Sequence, residues 1–233
     1  TSRKAISYIK VNVSSSGNIL RGLFEATGQK KDTAGRYLIL SIPFAQFLKF
    51  DVDYRLYIPV RKQSRVVYRT ALGIGKPLKN LNVLPYEQSY FSGGPNSVRA
   101  WRARTLGPGG YSQPESNISK YDKIGDLLIE GNIEYRFHIF RSFHGAWFVD
   151  VGNIWLLHTD PTKPGGTFAF DRFYKEFAMG SGFGVRWDLS FFVLRLDLAV
   201  PIADPAYAEG KRWILDKKPL ERTTLNFGIG YPF

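Results

Sequence analysis

The sequence contains no cysteine and only three histidines, and it lacks any long apolar run. The absence of cysteine excludes disulfides and thiolate metal sites. His138, His144 and His158 lie in different segments without the spacing of metal ligands, so we expect neither a metal nor a cofactor. No run reaches the roughly 18 apolar residues of a transmembrane helix. A membrane protein with this sequence would therefore have to cross the bilayer as strands.

The chain also lacks a concentrated basic segment, although its formal net charge is +12. Its lysines and arginines are scattered singly rather than forming the stripe that follows a nucleic-acid groove, so we expect no nucleic-acid partner. An anionic membrane surface fits this distribution better. The 233 residues, of which 44% are hydrophobic and 15% aromatic, are enough for one all-β domain.

Alternation of polar and apolar residues is the main local pattern. In residues 129–139, Ile133 and Tyr135 share one face while Glu134 and Arg136 share the other, which is the period of a β-strand. Comparable segments predict about nine strands, at about 3–13, 18–27, 48–58, 66–74, 129–139, 145–155, 178–188, 192–200 and 224–233.

The predicted connections alternate between short and long. The short ones are 14–17, 61–64, 141–144 and 189–190, and the long ones are 28–45, 77–123, 157–176 and 201–222. In an up-and-down barrel all short turns then fall on one rim and all long loops on the other, as in bacterial outer-membrane barrels. Aromatic residues near the strand ends fit a membrane interface. Periodicity by itself also permits a soluble sandwich or barrel.

The last eight residues, NFGIGYPF, contain a second signal. Asn226, Gly228, Tyr231 and Phe233 occupy the polar, glycine, apolar and terminal aromatic positions of the C-terminal β-signal of bacterial outer-membrane barrels. A terminal strand has to be recognised by its edge, because an unpaired edge is unstable in hydrocarbon. Pro232 removes one ladder donor, which suits an edge or a weakly paired seam.

Several motifs together resemble the BamA/TamA outer-membrane assembly family, including its Bacteroidetes members. The segment GGPNSVRAW resembles the family's loop motif at Val98, Arg99 and Trp101, with Ala100 where glycine is usual. The segments GNIEYRF, WFVDVGNIW and GSGFGVRWDLSFFVLRLDLAVPI resemble strands that follow that loop. The second of them contains the Phe-x-Asp-x-Gly motif at Phe148, Asp150 and Gly152.

The resemblance implies that the long loop 77–123 folds back into the lumen, where its arginine meets acidic side chains of the wall. Alternation places Asp150 and Glu134 on the inward face of neighbouring strands. The planar guanidinium of Arg99 could bind two carboxylate oxygens there. The alternative is that Arg99 contacts lipid phosphates from an exposed loop.

The expected fold is an all-β, antiparallel, transmembrane up-and-down β-barrel in the bacterial outer membrane. The resemblance implies that residues 1–233 form the C-terminal portion of this single barrel domain, about nine strands of the family's sixteen. On this interpretation the N-terminal strands and the periplasmic POTRA domains lie outside the sequence.

The resemblance implies assembly and insertion of outer-membrane β-barrel proteins through a lateral seam and strand augmentation. The implied partners are unfolded outer-membrane protein clients, outer-membrane lipid and lipopolysaccharide, and accessory assembly lipoproteins or periplasmic chaperones. A protein-translocating or passive pore of the two-partner secretion type is the alternative. We expect no enzyme, because no G-x-S-x-G elbow or catalytic triad spacing occurs.

Overall fold

The computed structural model describes residues 4–112, 123–215 and 219–233, and the regular secondary structure in these ranges is mainly β-strand. In chain order its main elements are β1 (Ile6–Ser16), α1 (Asn18–Ala26), β2 (Leu38–Ile39), β3 (Ile42–Pro43), β4 (Phe47–Arg61), β5 (Ser64–Pro77), β6 (Leu127–Phe140), β7 (Phe143–Trp155), β8 (Ala178–Asp188), β9 (Val193–Ala203) and β10 (Thr224–Ile229). Short 3₁₀ helices occupy Tyr86–Gln88, Phe173–Lys175 and Pro219–Arg222. Within the described ranges, no helix is both long and apolar enough to cross a membrane.

Eight strands form one sheet in the order β1-β4-β5-β6-β7-β8-β9-β10, and every neighbouring pair is antiparallel. Strands β2 and β3 form a separate small hairpin between β1 and β4. The predicted all-β, up-and-down architecture is confirmed. The sheet is open, with β1 and β10 as its two edges.

The two faces of the sheet have opposite chemistry. On the outer face the apolar side chains are exposed, as at Ile133 (44%) and Leu196 (48%). On the inner face Glu134 and Asp150 are fully buried. A water-soluble sandwich would bury its apolar face instead. This inverted arrangement is the one expected of a wall whose outside meets lipid.

Aromatic side chains gather at the rim of the short turns. Phe140 stacks on Phe143 with ring centroids 5.1 Å apart, and Phe143 stacks on Trp187 at 5.7 Å. These residues lie at the ends of β6, β7 and β8, next to the turns that join them. Such a group is typical of the level where a barrel wall meets the membrane interface.

The predicted strand at 18–27 is wrong, because these residues form the helix α1. Gly17 turns the chain out of β1 with a φ of 69°, a conformation that favours glycine. Leu20 and Phe24 then lie four residues apart on the same helix face. Phe24 packs edge-to-face on Tyr37 and Phe44, at 5.6 and 6.0 Å. This packing favours a helix over a strand.

The helix also changes the predicted connections and the strand count. Residues 14–16 belong to β1 rather than to a short turn, so β1 and β4 are joined by one long connection over 17–46. The main sheet therefore has eight strands where about nine were expected. The long connections still share one rim, and the turns 62–63, 141–142 and 189–192 share the other.

The predicted last strand, 224–233, ends early, at Ile229. Gly230 has a φ of 84°, which turns the chain away from the ladder. Pro232 has no N–H to donate to a neighbouring strand. Tyr231 and Phe233 therefore lie beyond the strand, and Phe233 is buried.

Candidate functional site: the loop docked on the inner face

The connection between β5 and β6 brings the motif Val98–Trp101 onto the inner face of the sheet. Two glycines with positive φ, Gly93 (94°) and Gly94 (102°), turn the loop just before the motif. The Gly94 N–H donates to the Trp101 carbonyl at 2.8 Å, which closes this turn. Arg99 is consequently held with no exposed surface.

The guanidinium of Arg99 forms a bidentate pair with Asp150 of β7. Its Nε donates to Oδ2 at 2.8 Å and its Nη2 donates to Oδ1 at 2.9 Å. The backbone N–H of Arg99 donates to the same Oδ2 at 3.1 Å. Nη1 donates to Glu134 Oε2 of β6 at 2.5 Å. The structure therefore brings together the three charged residues that the sequence placed on facing surfaces.

An aromatic ring covers one face of this guanidinium. The Cζ atom of Arg99 lies 3.4 Å from the ring centroid of Phe148, which is also fully buried. A cation over a ring is attracted by the ring's quadrupole, most strongly where water is excluded. Phe148 thus contributes to the same cluster as Asp150, two residues away on the same face of β7.

Further arginines and a carboxylate, not predicted as site residues, extend the ion network to β8 and β9. Arg186 Nη1 donates to Asp197 Oδ1 at 2.5 Å, and Arg186 Nη2 lies 3.3 Å from both carboxylate oxygens of Glu134. Asp197 Oδ2 lies 3.5 Å from Arg99 Nη1. Asp197 alternates with Leu196 and Leu198 along β9, so the strand pattern indicates its face, but its distance from Arg99 depends on strand register across β7, β8 and β9.

Glu130 is another site residue that the sequence reasoning missed. Ser92 Oγ donates to Glu130 Oε1 at 2.9 Å, and Ser97 Oγ donates to the same oxygen. Arg69 Nη1 donates to Glu130 Oε2 at 3.3 Å. Glu130 shares the inward face of β6 with Glu134, so alternation could have identified it as a contact for the loop.

Small residues make room for the docked motif. A Cβ added to Gly152 would lie 3.1 Å from Val98 Cγ2 and 2.8 Å from Glu130 Cγ. A Cβ added to Gly180 would lie 2.5 Å from the Cβ of Ala100. Ala100 does not have a positive φ, so alanine fits the loop without backbone strain. The side chain of Trp101 packs beside Val98 and Ala100.

Tyr90 anchors the loop a second time, on β4. Its hydroxyl donates to Asp51 Oδ1 at 2.6 Å. Burial, together with this hydrogen bond, raises the pKa of the Tyr90 phenol, so Tyr90 stays protonated as the donor. A side chain at Gly73 would collide with the ring, since an added Cβ would lie 2.5 Å from Tyr90 Cε1.

The terminal strand contacts the backbone of the loop motif. Asn226 Nδ2 donates to the Arg99 carbonyl at 2.8 Å, and Thr224 Oγ1 donates to the Ala100 carbonyl at 3.0 Å. Arg195 Nε lies 3.4 Å from Asp197 Oδ2 of the ion network, and a Cβ added to Gly228 would lie 2.6 Å from Arg195 Nη2. The inner side of β10 therefore contacts both the loop and the ion network.

The residues after β10 contact Arg136 of β6. Its Nη2 donates to the Phe233 carbonyl at 3.1 Å, and its Cζ lies 4.4 Å from the Tyr231 ring centroid. Arg136 Nε also donates to Glu134 at 2.8 Å. The predicted signal residues thus divide into two groups, with Asn226 and Gly228 in the strand and Tyr231 and Phe233 in an inward-turned tail.

The three histidines do not converge. His138 and His144 contact each other edge-to-face at 5.3 Å, while His158 lies 3.1 Å from Asp126 in another part of the chain. In residues 4–112, 123–215 and 219–233 no group of three or more His, Cys, Asp or Glu side chains could hold a metal ion.

The sheet is open and antiparallel, with exposed apolar side chains on its outer face and buried polar side chains under the loop on its inner face. This arrangement defines the protein as the wall of a transmembrane β-barrel with an internally docked loop. The chain matches the family model of the Omp85 superfamily domain over residues 12–233. It therefore belongs to the Omp85 superfamily, and the resemblance read from its motifs is confirmed.

The structure is also similar to the crystal structure of BamA from Haemophilus ducreyi lacking POTRA domains 1–3. The TM-score is 0.54 at 17% sequence identity, and the match covers 78% of this chain and 34% of that chain. At this identity the similarity supports the fold. The chain spans about a third of the BamA chain that it matches.

Proposed function

We propose that this protein inserts β-barrel proteins into the bacterial outer membrane by strand augmentation at its terminal strand β10. The observation that carries the proposal is how β10 is held. It pairs with β9 through six residues, whereas β8 and β7 pair through ten. Its inner side chains reach the loop backbone through Asn226 and Thr224.

Two sets of interactions hold β10: its short ladder with β9 and its side-chain hydrogen bonds to the loop. Each side-chain hydrogen bond to a carbonyl contributes about 1 kcal/mol net. Two of them can keep β10 in register against β9 while its other edge stays free of a neighbour in this sheet. The docked loop thereby keeps the free edge of β10 ordered, so a client strand does not have to order that edge when it binds.

Augmentation needs no covalent step. A client's strand would pair with the free edge of β10 through main-chain N–H and C=O groups, which all sequences share. Clients that differ in sequence can then use one edge. The clamp of Arg99 with Asp150 and Glu134 keeps the loop, and through it β10, in a fixed position.

The docked loop argues against the alternative of an open pore. Its motif occupies the inner face beside β6 to β10, and Arg99 is completely buried there. A passive or protein-translocating pore needs an unobstructed polar lumen. The loop would therefore have to move out of the lumen before such a pore could open.

The remaining assignments belong to the same proposal. The exposed apolar face supports integral location in the outer membrane, in contact with lipid and lipopolysaccharide. Unfolded outer-membrane proteins are the proposed clients, with accessory lipoproteins or chaperones as further partners. The one-third span of the similar BamA chain supports a larger barrel, completed by N-terminal strands and preceded by POTRA domains.

The test is client insertion into liposomes that contain the purified protein. We expect a small unfolded barrel client to fold faster there than in empty liposomes. Replacing both loop contacts, with Asn226→Leu and Thr224→Val, should slow insertion by about fivefold or more. The same variant should show faster amide hydrogen exchange in β10.

The matched control is Leu225→Ala, on the lipid-facing side of the same strand, where 64% of the side chain is exposed. It should leave insertion nearly unchanged. Equal insertion in empty and loaded liposomes would rule out the insertase function. Steady ion conductance without client insertion would instead support the pore.

A further inference from the structure

A cavity of about 690 Å³ lies at the short-turn end of the inner face. Its lining comes from the β4–β5 turn, the adjoining ends of β6, β7 and β8, the start of β1 and the tail residue Tyr231. The loop motif with Arg99 is not part of the lining. This basic cavity therefore adjoins the ion network through Arg136 and Arg186, but it does not include the loop residues or the side chains that hold β10.

The lining is strongly cationic. It contains six lysines or arginines and one carboxylate, that of Asp188. Glu134 and Asp197 compensate two of the arginines, Arg136 and Arg186.

Three neighbouring cations of the turn, Arg61, Lys62 and Arg65, form no ion pair with any carboxylate in the described ranges. Such a concentration of one sign in a concave site attracts anions.

Two buried polar atoms in the lining have no partner among the described residues. They are Ser64 Oγ, on a residue that is 9% exposed, and Nε of the fully buried Arg186. A buried hydroxyl or guanidinium N–H without a hydrogen bond costs free energy. Both atoms are shielded from solvent by neighbouring protein atoms, so they lie in the wall behind the accessible surface of the cavity.

We propose that the basic cavity is a binding site for a phosphate group, carried either by a lipid headgroup or by a soluble phosphate ester. A phosphate offers several acceptor oxygens and up to two charges, which suits three adjacent uncompensated cations. Arginine guanidinium groups bind phosphate oxygens in bidentate fashion. A single carboxylate would leave most of these cations uncompensated.

The remaining walls accept the organic part of such a ligand. Ile6, Tyr57 and Phe137 line the cavity with apolar and aromatic surface. The volume lies within the range of sites that enclose small molecules, roughly 300 to 1,000 Å³. An extended acidic polypeptide would need a longer groove, so a phosphate-bearing small molecule or headgroup fits better.

The test uses the purified protein in a detergent without phosphate. Inorganic phosphate is the soluble probe, dihexanoyl phosphatidic acid is the lipid probe, and dihexanoyl glycerol is the same lipid without its headgroup. Calorimetric titration should detect phosphatidic acid and not dihexanoyl glycerol. If inorganic phosphate binds and displaces phosphatidic acid, the phosphate group alone is sufficient for binding, and a soluble phosphate ester can be the ligand. Binding of phosphatidic acid alone would identify the lipid headgroup.

The deciding variant is Arg61→Gln, Lys62→Gln and Arg65→Gln together. These side chains are exposed, so the fold should persist, which heat-modifiable migration on a gel checks. We expect its Kd for the bound probe to rise about tenfold or more.

The matched control removes three positive charges at the opposite, long-loop end, with Lys30→Gln, Lys79→Gln and Arg102→Gln. It should bind the probes within about twofold of the unaltered protein. If the Kd rose equally in the two triple variants, the overall charge of the protein would explain the effect, and the proposed site would be wrong. The proposal also fails if neither phosphate probe binds. Tighter binding of penta-glutamate through the same three residues would overturn the assignment to phosphate.

Discussion

Two Arg–Asp pairs on the inner face have nearly the same geometry and very different surroundings. Arg99 meets Asp150 through two hydrogen bonds of 2.8 and 2.9 Å, and Arg55 meets Asp53 through two of 2.6 and 3.2 Å. The first pair is fully buried, whereas the side chains of the second are 29% and 19% exposed. The docked loop supplies the burial of the first pair.

The difference teaches that the strand pattern alone does not decide which polar residues form a core. Strand β1 alternates like the others, yet almost all of its residues are exposed, because it is an edge of the sheet and pairs only with β4. Near β7 the same kinds of residue lie under the loop and lose their water. Each charge there depends on its partner, since a buried unpaired charge is far more costly than an exposed one.

The largest expected effect comes from breaking the buried pair. Arg99→Ala leaves Asp150 and Glu134 with less compensation in a dry site, so we expect a loss of about 3–5 kcal/mol in the free energy of unfolding. Denaturant unfolding in detergent micelles, followed by tryptophan fluorescence, measures this loss. Activity in client insertion should fall with it.

A double-mutant cycle with Asp150→Ala separates the pair from its surroundings. The double variant should be destabilised by clearly less than the sum of the two single variants, because the second substitution removes a charge that the first left unpaired. Strict additivity, or an Arg99→Ala variant as stable as the unaltered protein, would contradict the clamp.

A second substitution breaks the packing of the loop and leaves its charges intact. Gly152→Ala would place a Cβ against Val98 and Glu130, and forcing such a contact costs about 1–3 kcal/mol. The matched control is Gly131→Ala, where an added Cβ meets nothing within 4 Å. The control should be neutral or slightly stabilising. Equal destabilisation of both variants would mean that strand propensity, not loop docking, determines the effect.

The sequence predicts the clamp better than it predicts the ends of the chain. Alternation gives the faces of Glu134 and Asp150, and the loop motif supplies Arg99. The network beyond them depends on strand register and on Arg186, which lies in a family-resembling segment but has no role that the segment alone indicates. The nine residues of helix α1 are too few for the sequence pattern to distinguish a helix from a strand, and the contacts of Phe24 with Tyr37 and Phe44 exist only after folding.

A smaller effect should come from the partly exposed pair. Arg55→Ala should cost at most about 1 kcal/mol, as for other solvent-accessible ion pairs. Raising the salt concentration should shrink this loss, while the loss from Arg99→Ala should hardly change, because salt screens exposed charges much more than buried ones. Unfolding curves at low and high sodium chloride measure both. If the loss of unfolding free energy caused by Arg99→Ala depended strongly on salt, the loop would not exclude water from the Arg99–Asp150 pair.

The smallest expected effect is local and lies at the exposed end of the sheet, in the connection between α1 and β2. The Asp32 carboxylate accepts the backbone N–H groups of Arg36 and Ala34, at 2.7 and 3.0 Å. The hydrogen bond from the Arg36 N–H is the main cause that lowers the pKa of Asp32, and the Arg36 guanidinium adds to it. The charged carboxylate therefore stabilises this turn above the ordinary carboxyl pKa, and the stabilisation is lost as the pH falls through the lowered value.

Amide exchange at Ala34 and Arg36, corrected for its intrinsic pH dependence, should accelerate below about pH 4 while the amides of β7 stay protected. In Asp32→Asn the amide oxygen still accepts these hydrogen bonds but does not titrate, so the acceleration should disappear. If amide exchange at Ala34 and Arg36 accelerated at the same pH in Asp32→Asn, a group other than Asp32 would control the stability of the turn. Loosening of β7 over this range would mean that the inner face is not sealed by the loop, and the contrast between the two pairs would then have another cause.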